Sequence, residues 1–103
     1  RITRERLFAA IRLKGIINLG NVQRVYFESK GVFSIITFED KQDRPGLCIL
    51  PEDDYDFRSE IAYDERYQSC KDCGYTISKQ NQPVHECTNC GGRHWESAVK
   101  IFS

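Results

Sequence analysis

The sequence has little of what a membrane span, an active site or a strongly charged binding surface requires. No apolar run approaches the roughly 20 residues that cross a bilayer, and no apolar signal-peptide region follows the basic start. Only two histidines are present, His85 and His94, so no nucleophile–base set is apparent. Net charge is zero, which gives little general attraction to nucleic acid. We therefore expect a non-catalytic chain, and the start at Arg1 rather than Met favours a fragment of a longer protein.

Charge of the two signs is unevenly distributed along the chain. Residues 1–30 carry a net charge of +5, and residues 39–66 carry −6. Opposite patches of this kind pair either within one molecule or between copies. The pattern favours contact between these segments and is compatible with a homo-oligomer.

The five cysteines are distributed as two C-x-x-C pairs and one single residue. This arithmetic favours metal binding in a reducing cytosol, because a disulfide framework would leave an unpaired thiol. The single residue, Cys48, lies in an apolar run and is predicted to be a small buried side chain.

The two cysteine pairs predict a metal site with four sulfur ligands: Cys70, Cys73, Cys87 and Cys90. Two residues between cysteines let a tight turn, here called a knuckle, direct both sulfurs at one ion, and two knuckles complete a tetrahedron. Gly74 and Gly91 directly follow the pairs, where the chain must turn with positive φ. A β-hairpin between the knuckles would make this segment a zinc ribbon.

A site closed by four protein ligands has no position for water or substrate, so catalysis by the metal is not expected. Zinc is the favoured ion, and iron is the alternative because the first knuckle resembles that of rubredoxin-like domains. Lys71 and Arg93 are expected to offset the charge of the thiolates, and Trp95 to shield one side. His85 and His94 are expected not to be ligands.

The first half of the chain predicts a helix followed by a β-hairpin. Thr3 is a suitable N-cap, Gly15 a suitable residue after the C-terminus, and the helix is expected over Arg4–Lys14. Residues 22–28 and 32–38 have strand composition and flank a turn with glycine. The second strand is apolar on both faces, which predicts a central strand covered by the helix. Residues 47–50 predict a short edge strand.

These segments together resemble the cytosolic C-terminal domain of the YetF/YcaP family of bacterial membrane proteins. The resemblance is carried from residue 1 to about Asp54 by a Leu-Arg-x-x-Gly-Ile-like helix end, a Val-x-x-x-x-x-Glu strand and a Gly-x-x-Ser hairpin. It implies an α+β domain on the cytoplasmic side of the inner membrane, attached through N-terminal membrane helices. It also implies self-association and no established enzymatic activity.

The predicted organisation is therefore an α+β domain over residues 1–66 and an appended rubredoxin-like zinc ribbon over residues 67–103. The predicted function is self-association or docking of a protein partner, with zinc as a structural ion. Electron transfer by bound iron is one alternative. Nucleic-acid binding is another and is disfavoured, because the hairpin between the cysteine pairs offers Lys79 as its one Lys or Arg side chain.

Overall fold

The computed structural model describes residues 2–40, 42–81 and 85–100, and the fold is α+β. Two antiparallel sheets, one of two strands and one of three, are accompanied by short helices. The elements in chain order are α1 (Arg4–Arg12), a 3-10 turn (Leu19–Asn21), β1 (Val22–Phe27), β2 (Phe33–Thr37), α2 (Tyr55–Arg58), β3 (Tyr63–Cys70), β4 (Thr76–Ser78), a second 3-10 turn (Lys79–Asn81) and β5 (Trp95–Val99).

Helix α1 begins at the predicted cap. The Thr3 hydroxyl accepts a hydrogen bond from the Arg6 amide at 3.1 Å, which satisfies an amide that has no partner within the helix. The last residues before Gly15 form a turn rather than helix, and Gly15 has φ of +81°. Ile11 is completely buried and anchors the apolar face. Within the described residues no helix is long and apolar enough to cross a membrane.

Strands β1 and β2 form the predicted hairpin, and Gly31 has φ of +84° in its turn. One face, with Val25 opposite Ile35, packs beneath α1. The expectation of a central strand is wrong for the described residues, because β2 pairs only with β1 there. Its outward face has no covering element among them, so Ile36 remains 46% exposed.

Residues 46–50 form the centre of the molecule rather than the predicted edge strand. All five are buried, and alternate side chains enter different clusters. Leu47 and Ile49 pack with Ile11, whereas Cys48 packs with Val99. Because successive side chains of extended backbone point to opposite sides, one short segment contributes to both clusters.

Backbone hydrogen bonds tie this central segment to both neighbours. The Leu19 amide donates to the Leu47 carbonyl at 2.9 Å, and the Val99 amide donates to the Gly46 carbonyl at 2.8 Å. Gly46 is required at this position, since a Cβ there would lie 2.6 Å from Asn18 Oδ1. The central segment therefore joins the helix–hairpin unit to the second sheet.

The second sheet has the order β4-β3-β5, with both pairings antiparallel. The sequence was compatible with either a linker or a short helix from Phe57 to Gln68. This region contains the end of α2 and most of β3. The predicted boundary between residues 66 and 67 falls inside β3, and the division into two domains stays a prediction. Residues 82–84 and 101–103 of the predicted ribbon lie outside the described residues.

Candidate metal centre

The first knuckle is the turn that links β3 to β4. Strand β3 ends at Cys70, and the chain reverses through residues 71–74. The Gly74 amide donates to the Cys70 carbonyl at 2.7 Å, and the Cys70 amide donates to the Tyr75 carbonyl at 2.8 Å. Gly74 has φ of +87°, a conformation that side-chain-bearing residues rarely adopt. The predicted role of this glycine is confirmed.

The second knuckle repeats this hydrogen-bond pattern in a different part of the chain. The Gly91 amide donates to the Cys87 carbonyl at 2.7 Å, and the Cys87 amide donates to the Gly92 carbonyl at 2.8 Å. Gly91 has φ of +82°. The two turns therefore have matching backbone geometry, and each presents two sulfurs on one side.

The two knuckles bring their four sulfurs together. Cys70 Sγ lies 3.6 Å from Cys90 Sγ, Cys73 Sγ lies 3.7 Å from Cys87 Sγ, and all four lie within 4.8 Å of one another. These thiols are not bonded as disulfides, which need about 2.05 Å between sulfurs. A tetrahedron with metal–sulfur distances of about 2.3 Å has edges of about 3.8 Å. The cluster can therefore hold one metal ion.

N–H groups of both knuckles donate hydrogen bonds to the sulfurs. The Tyr75 amide lies 3.4 Å from Cys73 Sγ, and the Gly92 amide lies 3.3 Å from Cys90 Sγ. The Asn89 side-chain amide also contacts Cys73 Sγ, at 3.3 Å. Such donors stabilise thiolates and tune a bound metal. Asn89 was missed in the sequence, because its contact crosses from the second knuckle to the first.

Close packing of the four thiols opposes their joint ionisation. For Cys87, partial desolvation opposes ionisation, but backbone amides of Cys90 and Asn89 outweigh it and lower the pKa to about 7. For Cys90, the Gly92 amide favours the thiolate, but desolvation and neighbouring thiols outweigh it and raise the pKa to about 12. Protons leave such a cluster one at a time. A divalent cation would relieve the repulsion among thiolates.

The surroundings of the cluster differ in part from the expectation. Lys71 Nζ lies 3.0 Å from a carboxylate oxygen of Glu52, so its ammonium group forms an ion pair with that residue. Trp95 sits on β5 opposite Cys70, and its Nε1 donates to the His85 carbonyl at 3.4 Å. Whether the indole shields the metal stays a prediction.

Neither histidine joins the described cluster, whose members are all cysteines. His94 Nδ1 lies 3.2 Å from Asp72 Oδ2, and its side chain is 75% exposed. Cys48, the fifth cysteine, is only 3% exposed and lies in the core beside Val99. Burial is the main cause that raises the pKa of the Cys48 thiol, as expected for an unreactive core residue.

The first knuckle also rests on the N-terminal part of the chain. Arg4 Nη1 donates to the Lys71 carbonyl at 2.7 Å and lies 3.8 Å from Asp72 Oδ1. A Cβ placed on Gly74 would lie 2.5 Å from Leu19 Cδ2. Helix α1 and the first 3-10 turn therefore both contact this knuckle.

A cavity of about 370 Å³ lies between α1, residues 47–53 and β5. It contains charges of both signs, including Arg12, Arg58 and Glu96. Glu96 Oε2 is buried without a hydrogen-bond partner among the described residues, and Arg58 Nη1 lies 3.9 Å away. Burial raises the pKa of Glu96 despite that guanidinium. The guanidinium of Arg58 instead donates to the Leu50 and Pro51 carbonyls, which ties α2 to the central segment.

Comparison with known proteins supports the resemblance seen in the sequence. Over 99 residues, or 96% of the chain, the sequence is 30% identical to the UPF0702 transmembrane protein YcaP of Escherichia coli (strain K12). The chain spans 43% of that relative's length. Because the alignment covers nearly the whole chain, both predicted parts lie within it. No family model matches the chain, and no solved structure matches it.

Proposed function

We propose that the chain is a non-catalytic domain of a UPF0702-type bacterial membrane protein, held in shape by one structural zinc ion. The similarity to a transmembrane relative supports membrane attachment through a part of the protein other than the described residues. The domain acts in self-association or in docking a protein partner. Its location is the cytoplasmic side of the inner membrane.

The observation that carries this proposal is the convergence of Cys70, Cys73, Cys87 and Cys90 within 4.8 Å. When bound, the zinc ion would link the end of β3 to the segment before β5. A small chain buries little apolar surface, and the ion would add to its folding free energy, since metal-binding energy is folding energy here. Four protein ligands leave no open position for a reacting water, which supports a structural role.

Unpaired, clustered thiols support the proposed side of the membrane. Sulfurs 3.6–3.7 Å apart would readily oxidise to disulfides in an extracellular or periplasmic setting. Glutathione and thioredoxin keep cytosolic thiols reduced and available to a metal. The cytoplasmic side therefore suits this ligand set best.

Iron is a second candidate ion, and one feature favours it. Cys90 is exposed, so one edge of the cluster reaches the surface, as electron transfer to a partner requires. Zinc is preferred because thiolate ligands accept both metals and the second knuckle lacks the proline common in rubredoxin-like domains. Nucleic-acid binding is not proposed, since Lys79 Nζ pairs with Glu65 at 3.2 Å.

Elemental analysis of protein purified under reducing conditions tests the metal. We expect about one equivalent of zinc, no visible absorption, and a large fall in melting temperature when a strong chelator removes the ion. Cys48→Ala serves as a control for the role of the other cysteines, because it removes a buried thiol outside the cluster and should leave the metal content unchanged. One equivalent of iron, together with visible absorption, would show that iron rather than zinc is the bound ion. Fully folded protein without metal would overturn the structural role.

A further inference from the structure

An apolar groove with a basic rim runs between α1 and the β1–β2 hairpin. Its volume is about 780 Å³. Three cations, Arg6, Arg12 and Lys14, line it together with apolar side chains, and no carboxylate of the described residues does. Leu13 at its edge is 88% exposed, and Val32 on the opposite wall is 59% exposed. Large apolar side chains left in water beside unopposed cations indicate a docking surface for an acidic and apolar segment.

The same chain contains a segment with the complementary chemistry. The sequence around α2 reads Glu52-Asp53-Asp54-Tyr55-Asp56-Phe57. Tyr55 is 76% exposed and Phe57 is 44% exposed, so two aromatic side chains project among carboxylates. Among the described ion pairs, Glu52 has Lys71 as its partner, whereas Asp53 and Asp56 take part in none. These two carboxylates are available to cations of another molecule.

We propose that the α2 segment of one copy of this chain docks in the groove of a second copy. None of the residues 52–57 lines the groove of its own molecule, so the contact is between copies. Tyr55 and Phe57 would cover Leu13 and the apolar floor of the groove. Asp56 and Asp53 would meet the basic rim, where Lys14 takes part in no described ion pair.

This arrangement joins two different surfaces, head to tail, so a docked pair keeps one free groove on one copy and one free segment on the other. Such contacts generate closed rings or open chains rather than simple two-fold dimers. The inference deepens the proposed self-association and rests on it. A modest affinity would be sufficient in a membrane-attached protein, because attachment raises the local concentration of the copies.

Charge exchange between the two surfaces tests the proposal directly. Sedimentation of the zinc-containing protein should reveal association at 50 mM salt that weakens at least about tenfold at 500 mM, because exposed charges are screened. Lys14→Glu and Asp56→Lys should each abolish association when present alone. The double variant, and an equimolar mixture of the two single variants, should restore it. Failure of either combination to restore association would overturn the pairing.

Truncation of the exposed apolar residues tests the other half of the contact. Leu13→Ala and Tyr55→Ala should weaken association at least about tenfold while the melting temperature changes little, because both side chains are already in water. Arg24→Glu is the matched charge control, since Arg24 is an exposed residue of β1 outside the groove lining. If Arg24→Glu abolishes association while Leu13→Ala does not, the outer hairpin face is the interface and the proposal is wrong.

Two further outcomes separate this inference from its alternatives. A protein that binds one zinc ion and stays monomeric at millimolar concentration would refute the groove contact and leave the metal site intact. Vesicles containing 30% phosphatidylglycerol test a membrane surface as the occupant. If they bind the wild-type protein but not Lys14→Glu, and no self-association occurs, the groove faces lipid and the proposal is overturned.

Discussion

The two knuckles have the same backbone but different surroundings. In the first, the second cysteine, Cys73, is half-buried, and Arg4 and Leu19 contact the turn from the N-terminal part of the chain. In the second, Cys90 is exposed, and a Cβ on Gly91 would meet no atom closer than Glu86 Oε2 at 3.8 Å. Equivalent positions in the two turns should therefore differ in their contribution to stability.

The largest expected effect is the loss of one ligand. Cys90→Ser should weaken zinc binding by about 3 kcal/mol, a quarter of what a structural zinc contributes. Cys70→Ser should do the same and also destabilise the metal-free state by about 1 kcal/mol, because it places a hydroxyl in a completely buried position. Competition with a chelating dye measures the loss of zinc-binding free energy. Urea unfolding in the presence of a chelator measures the stability of the metal-free state. Equal stability of the two metal-free variants would contradict the difference in burial between these two cysteines.

A smaller effect is expected from the paired glycines. Gly91→Ala should cost about 1–2 kcal/mol, because alanine in the left-handed region is strained. Gly74→Ala should cost about 1 kcal/mol more, since its Cβ would also lie 2.5 Å from the terminal methyl Cδ2 of Leu19, which must move aside. Thermal unfolding of the zinc-bound proteins measures both. In a double-mutant cycle Leu19→Ala should recover part of the Gly74→Ala loss, and additive losses would show that the contact is absent.

The smallest effect should come from the arginine that holds the first knuckle. Arg4→Ala removes the hydrogen bond to the Lys71 carbonyl and should lower stability by about 0.5–1 kcal/mol. In Arg4→Ala, amide hydrogen exchange should be faster than in the wild-type protein at the first knuckle and unchanged at the second. Arg24→Ala is the control, because the Arg24 guanidinium donates only to the neighbouring Gln23 carbonyl among the described residues. Equal exchange at both knuckles in Arg4→Ala would show that this contact does not support the turn.

Local patterns predicted the elements whose causes lie within a few residues. The Thr3 cap and the hairpin turn at Gly31 were predicted correctly, because each depends on nearby backbone groups. The helix ends at Arg12 rather than at the predicted Lys14. The spacing of the four cysteines likewise predicted that their sulfurs converge, and they do. The match with a relative over 96% of the chain agrees with the resemblance carried by the first half.

Long-range contacts account for what the sequence did not predict. Residues 47–50 were expected at an edge, because an apolar run of this length is compatible with an edge or a centre. Asn89 was overlooked, because its amide contacts a sulfur 16 positions away in the chain. The open outer face of β2 was also missed, since apolar residues on both faces suggested a cover that the described residues do not provide.

By itself, the sequence determined the clustering of the four cysteines and the two turns that present them, because a C-x-x-C-Gly unit dictates its own backbone. Only the tertiary structure decided that one turn is buried against the N-terminal part of the chain while the other faces solvent. That difference depends on which distant residues pack beside each turn, and such packing is a property of the whole fold rather than of either motif.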